Sequence, residues 1–216
     1  MVDFLIIRNK CDRATEYTNW IGEGMKEYLE NQGHTVTDLS DADANPEKVT
    51  EWLRYDKEKT VKAVIALDHG SVDKFWGEKN NSLIPVIDTN NCRTLTRKLH
   101  VYTLACSTNA RGGLGKIAVK GGCFSWLGYI EPVYAMKSQS FKDCIWTYMI
   151  AMAEGKTMEE CEQILRKAYA DRDAESFVYK YNLERLSLRK IEDDMTINSH
   201  NRYVPGTGMP EKAKPQ

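Results

Sequence analysis

Two stretches decide how this chain folds. Lys62-Ala63-Val64-Ile65-Ala66-Leu67-Asp68 runs into His69-Gly70, and His100-Val101-Tyr102-Thr103-Leu104-Ala105 runs into Cys106. Both are short, apolar and rich in β-branched residues, the pattern of strands buried on both faces rather than of helices. As parallel neighbours in one sheet they would deliver an imidazole and a thiol to the same carboxyl edge, where open α/β sheets carry their sites. A base or a positive charge beside a thiol converts it to the thiolate, which is the nucleophilic form.

The surrounding sequence supplies the rest of such a sheet. Phe4-Leu5-Ile6-Ile7 reads as a first strand and His34 to Leu39 as a second. Between them, Ala14 to Gln32 has the spacing of an amphipathic helix, with Gly33 as its stop. Asn45-Pro46-Glu47 opens a short helix through Leu53, with proline at a first-turn position. Ser71 to Asn81 reads as a polar loop carrying Phe75 and Trp76, Leu83 to Ile87 as extended chain, and Asn91 to Leu99 as a helix. Residues 107–122 read as loop plus a short glycine-rich helix, and Cys123 to Ile130 as a fifth strand. Beyond Pro132 the pattern changes to three helices, Ser140 to Ala153, Thr157 to Tyr169 and Glu175 to Ile191. Thr157 and Glu160 have capping-box spacing.

Strands alternating with helices predict one α/β domain over residues 1–191. Its sheet is mostly parallel, with at least five strands and helices on both faces, and residues 137–191 add a mainly helical extension. Residues 192–216 are polar and read as a flexible tail.

Composition excludes several function classes. The 30 basic and 31 acidic residues leave a net charge of −1, so no global field points to nucleic acid or to an anionic membrane. Lys62, Lys74, Arg93, Arg97 and Lys98 read as solvated charges, not as a nucleic-acid patch. No apolar run reaches the ~20 residues of a membrane span. The start, Met1-Val2-Asp3-Phe4, enters a strand directly, which reads as no signal peptide. Six cysteines (Cys11, Cys92, Cys106, Cys123, Cys144, Cys161) are scattered without Cys-x-x-Cys spacing. Neither a zinc framework nor a disulfide framework is expected, so the setting reads as cytoplasmic and reducing, with no metal and no cofactor.

The order of motifs is more telling than any one of them. Leu67-Asp68-His69-Gly70-Ser71, Thr103-Leu104-Ala105-Cys106-Ser107 and Gly121-Gly122-Cys123-Phe124-Ser125-Trp126-Leu127-Gly128-Tyr129 follow one another at successive strand ends. Over roughly residues 60–135 this resembles the caspase–gingipain–clostripain group of cysteine peptidases, and its gingipain-like branch in particular. The caspase signature Gln-Ala-Cys-x-Gly is not met, because Leu104 and Thr108 stand at its first and last positions.

The resemblance implies a caspase-like three-layer α/β sandwich and a peptide or protein substrate. It implies Cys106 as nucleophile, His69 as general acid and base, and the backbone N–H groups of Gly70 and Cys106 as oxyanion donors. It further implies cleavage after Arg or Lys, for which Asp73, Asp88 and Glu131 are the candidate substrate-binding carboxylates. Asp68 precedes His69 on a strand, so its side chain is expected on the opposite face.

Rival chemistries fit less well. A cysteine phosphatase needs five residues between its Cys and Arg, and Cys106 to Arg111 leaves four. Gly113-Leu114-Gly115-Lys116-Ile117-Ala118 matches a dinucleotide fingerprint, but six residues separate it from Cys106, whereas a phosphate-cradling turn leaves its strand at once. A catalytically silent relative or a nucleotide-binding α/β module remains the alternative reading.

Overall fold

A computed structural model describes residues 4–54 and 61–191. The predicted tail, 192–216, lies outside the described residues. The elements run β1 (Phe4–Arg8), α1 (Arg13–Gly22), α2 (Met25–Asn31), β2 (Val36–Ser40), α3 (Pro46–Leu53), β3 (Ala63–Leu67), β4 (Lys74–Lys79), β5 (Ser82–Asp88), α4 (Cys92–Leu95), β6 (His100–Leu104), α5 (Leu114–Lys120), β7 (Ser125–Tyr129), α6 (Gln139–Ala153), α7 (Met158–Ala170), α8 (Phe177–Arg185) and β8 (Leu186–Lys190).

Six strands form one sheet in the order β2-β1-β3-β6-β7-β8. All neighbours are parallel except β8, which runs antiparallel to β7 at the edge. The two-residue side-chain period of each strand divides the core into two layers. Phe4, Ile6, Ile65, Leu67, Tyr102, Leu104, Leu127 and Tyr129 pack against α1, α2, α6, α7 and α8. Leu5, Ile7, Val64, Ala66, Val101, Ala105 and Trp126 pack on the other face against α3, α4 and α5. The result is a three-layer α/β sandwich, compatible with a caspase-like arrangement. No described helix is long and apolar enough to cross a membrane.

The structure departs from the sequence expectations in definite ways. The predicted helix 14–32 is two helices, broken at Gly24, whose φ of 83° is left-handed and open to glycine. The predicted loop 71–81 contains strand β4, paired antiparallel with β5. Asn80 and Asn81, both with positive φ (54° and 59°), make the tight hairpin turn between them. The third C-terminal helix stops at Arg185, and Leu186-Ser187-Leu188-Arg189-Lys190 continues as strand β8 because the free edge of β7 offers a ladder. The helix predicted over 91–99 is a single turn, 92–95. Lys62, expected in solvent, is buried. All six cysteines are free thiols, and Cys92, Cys123, Cys144 and Cys161 are buried.

Candidate functional site

β3 and β6 are adjacent and parallel, and their register pairs Leu67 with Leu104. His69 and Cys106 each lie two positions beyond that pair. Two positions is one full strand period, so both side chains fall on the face of Leu67 and Leu104. Strand neighbours sit about 4.8 Å apart. His69 and Cys106 accordingly line one open cavity of about 340 Å³, whose other lining comes from the first turns of α1 and from residues 133–135.

Local backbone geometry holds each group. Ser107 adopts a φ of 57° and turns the chain directly after the thiol. Its N–H donates to the Glu131 carbonyl at 3.0 Å, and the Asn109 N–H donates to the Tyr129 carbonyl at 3.0 Å. These bonds tie the loop after β6 to the end of β7. The Cys106 Sγ sits against Val133, accepting from its N–H at 3.5 Å and donating to its carbonyl at 3.8 Å. Val133 is kept there by the next residue: buried Asn182 of α8 accepts from the Tyr134 N–H at 3.1 Å and donates to the Tyr134 carbonyl at 2.8 Å.

The imidazole has a carboxylate partner that sequence reasoning missed. His69 Nε2 lies 2.7 Å from Asp12 Oδ2. Asp12 follows β1, which neighbours β3 in the sheet, and it is the N-cap of α1 in a capping box with Thr15. Its second oxygen, Oδ1, accepts from the Thr15 N–H at 2.9 Å. Burial works to raise the Asp12 carboxyl, but its bonds from Thr15 and His69 outweigh that and hold it below its ordinary value. Asp12 is therefore an anion at neutral pH. The sequence signal for it was Asp-x-x-Thr at a helix start just past a strand. Nothing in that signal says that β1 lies beside β3.

Asp68 behaves as its strand parity predicts. Its carboxyl accepts from the Asn9 side chain and from the His69 N–H, not from the imidazole. Burial, with Asp12 and Glu78 nearby, raises it well above its ordinary value. Cys11, next to Asp12, is no rival nucleophile: burial and the Glu78 carboxylate push its thiol up to about 12, so it stays protonated.

Gly70 is required by close approach. A Cβ there would lie 2.8 Å from each of Ala105 Cβ, the Cys106 carbonyl oxygen and Thr108 Cγ2. The loop after β3 and the loop after β6 thus touch backbone to backbone. Gly70 bridges to Phe75, but the bonds run from Trp76 N–H to His69 C=O and from Ser71 N–H to Lys74 C=O. The Gly70 N–H is left outside that ladder.

The three carboxylates expected to select the substrate each have a partner of their own. Asp73 bonds Ser71 Oγ at 2.7 Å in an exposed loop. Asp88 accepts from the N–H groups of Asn90 and Asn91 in the turn after β5. Glu131 pairs with Arg185 at 2.8 Å. None of them lines the cavity of His69 and Cys106.

No protein-family model matches this chain, and no curated protein matches it. The site must be judged on its chemistry. Among the described residues no group of His, Cys, Asp and Glu side chains is arranged to hold a metal ion. The Gly113–Ala118 stretch has a packing use in the fold. Nine residues separate the last paired residue of β6, Leu104, from the start of α5 at Leu114, and a Cβ on Gly115 would strike Asn109 Oδ1 at 2.3 Å and the Trp126 ring at 2.8 Å. That glycine lets a short helix pack closely on the sheet.

Proposed function

We propose that this protein is a cysteine peptidase in which Cys106 is the nucleophile, His69 the general acid and base, and Asp12 the group that orients the imidazole. One observation carries the reading. A thiol and an imidazole line a single cavity at the carboxyl edge, and the far nitrogen of that imidazole is 2.7 Å from a carboxylate. The sheet order, compatible with a caspase-like fold, and the resemblance of the three strand-end motifs agree with it.

The chemistry follows from the tautomer. With Nε2–H donated to Asp12, Nδ1 carries the lone pair and is free to accept the thiol proton. The thiolate adds to a peptide carbonyl, and the displaced π electrons go to the oxygen. The N–H groups of Gly70 and Cys106 are the donors for that oxyanion. Collapse breaks the C–N bond, and the imidazolium gives its proton to the departing amine. Water, deprotonated by His69, then cleaves the thioester and releases the acid.

The test combines labelling with turnover. A peptidyl chloromethyl ketone is expected to modify Cys106 in the wild type and nothing in Cys106→Ala. His69→Ala should lower hydrolysis by roughly 10²–10⁴-fold. Wild-type protein that cleaves no member of a diverse peptide library, with calcium and reductant supplied, would instead support a silent α/β module.

A further inference from the structure

The cavity beside Cys106 says what kind of side chain enters it. We infer that the substrate residue supplying the attacked carbonyl is uncharged and apolar, of the size of Leu, Met or Phe. This rests on the peptidase reading above and departs from the basic residue implied by the family resemblance.

The argument is an account of polar atoms. Ala14, Leu104, Val133 and Ala135 contribute only carbon from their side chains. Of the hydroxyls that line the space, those of Thr15, Thr18 and Tyr17 already have partners, and the Tyr134 hydroxyl sits on a half-exposed ring. Thr15 Oγ1 is bonded within the cap of α1, with Asp12 Oδ1 3.0 Å away, and Thr18 Oγ1 donates to the Thr15 carbonyl at 3.1 Å. Tyr17 Oη accepts from Arg13 Nε at 2.8 Å. The Asp68 carboxyl is held by Asn9 and the His69 N–H, and both backbone groups of Tyr134 are held by Asn182. What faces an entering side chain is therefore mostly methyl groups and ring faces, with the dyad itself and the Tyr134 hydroxyl as the polar exceptions.

The Asp68 carboxyl in the lining is already held by Asn9 and the His69 N–H, so a Lys or Arg side chain would find no uncommitted carboxylate. Asp12 is committed to His69, and Asp73, Asp88 and Glu131 are not in the lining. A charge moved from water into apolar surroundings without a partner is strongly disfavoured. An acidic side chain would meet one cation, Arg13. That residue is exposed and leans over the Tyr17 ring, 5.8 Å from its centroid, so its charge sits at the rim among solvent. An apolar side chain instead gains by leaving water, in proportion to the area it buries. A space of about 340 Å³ accepts a branched aliphatic or a phenyl group.

The experiment separates this inference from its parent. Labelling of wild-type Cys106 by the ketone decides the peptidase reading. Binding to full-length Cys106→Ala decides specificity, because it needs no turnover. Fluorescein-labelled hexapeptides identical except at the residue in question would be titrated by anisotropy. Leu, Met or Phe should bind at least tenfold more tightly than Arg, Lys, Asp or Glu. Adding Ala14→Trp, at an exposed position of α1 that lines the space, should fill it, remove at least tenfold in affinity for the Phe peptide and abolish the preference for Phe over Ala. A charged peptide that binds as well as the apolar ones overturns the inference. So does the absence of any binding up to millimolar peptide, and so does an Ala14→Trp variant that still prefers Phe.

Discussion

Asp12→Asn is the most informative single change, because Asp12 has two jobs that this substitution separates. As N-cap it accepts from the Thr15 N–H, which an asparagine oxygen does equally well. As partner of His69 it supplies a negative charge, which asparagine lacks. Hydrogen bonds to charged groups contribute about 1.5–3 kcal/mol. Both side chains are partly solvated, His69 at 32% and Asp12 at 45% exposure, so the lower half of that range applies. About 1.5–2 kcal/mol of lost imidazolium stabilisation converts to roughly 10- to 30-fold in rate. The expected result is that drop in kcat, with a similar slowing of Cys106 alkylation. Unfolding free energy should change by less than ~1 kcal/mol, the usual size of a charge at a helix N-terminus. Asp12→Ala should add about 1 kcal/mol of destabilisation from the lost cap to the same kinetic defect. Asp12→Asn that keeps more than half of wild-type kcat and of the alkylation rate would refute the orienting role.

Three further outcomes follow from the geometry. Gly70→Ala should lower stability by about 1–3 kcal/mol through overpacking and cut peptide hydrolysis by more than tenfold, read by urea denaturation beside kcat/KM, because its Cβ drives the loops that carry His69 and Cys106 apart. Asn182→Ala leaves the Tyr134 N–H and C=O without their partner and should cost about 2 kcal/mol, with faster amide exchange across residues 133–135 as the diagnostic signal. His100 is fully buried, its Nδ1 2.8 Å from Ser125 Oγ, and burial lowers its pKa to about 4. The native state therefore favours the neutral ring. That stability is complete above the unfolded value of about 6.5 and is lost as pH falls toward 4, by about 3 kcal/mol in all. Denaturant midpoints measured from pH 7.5 to pH 4 should show this loss in the wild type and a smaller one in His100→Gln.

Much of this was legible in residues 62–70 and 100–106. Their apolar runs fixed two buried strands, and the two-residue period placed His69 and Cys106 on one face once the strands were neighbours. The parity of Asp68 was legible for the same reason. Asp12 was not, since it reaches His69 only through the adjacency of β1 and β3, a long-range fact with no local signature. β4 was hidden by its polar residues Lys74, Glu78 and Lys79, although Asn80-Asn81 marked the turn. β8 was hidden because its strand character comes from the vacant edge of β7 more than from its own five residues. The specificity carboxylates came from the resemblance, not from any pattern in the chain, and composition alone had no means of locating them.

The position of β8 and α8 bears on how the molecule comes into being. The ribosome makes residues 177–190 last among the described elements, yet they supply the sixth strand and, through Asn182, the clamp on the wall that cups the thiol. Cys106 and His69 are both translated long before that wall is fastened. A nascent chain halted before Asn182 would carry Cys106 and His69 without the clamp, and its sheet would end at an unpaired β7. Chain growth thus orders the events: the wall beside Cys106 can be fastened only after residue 182 has been made.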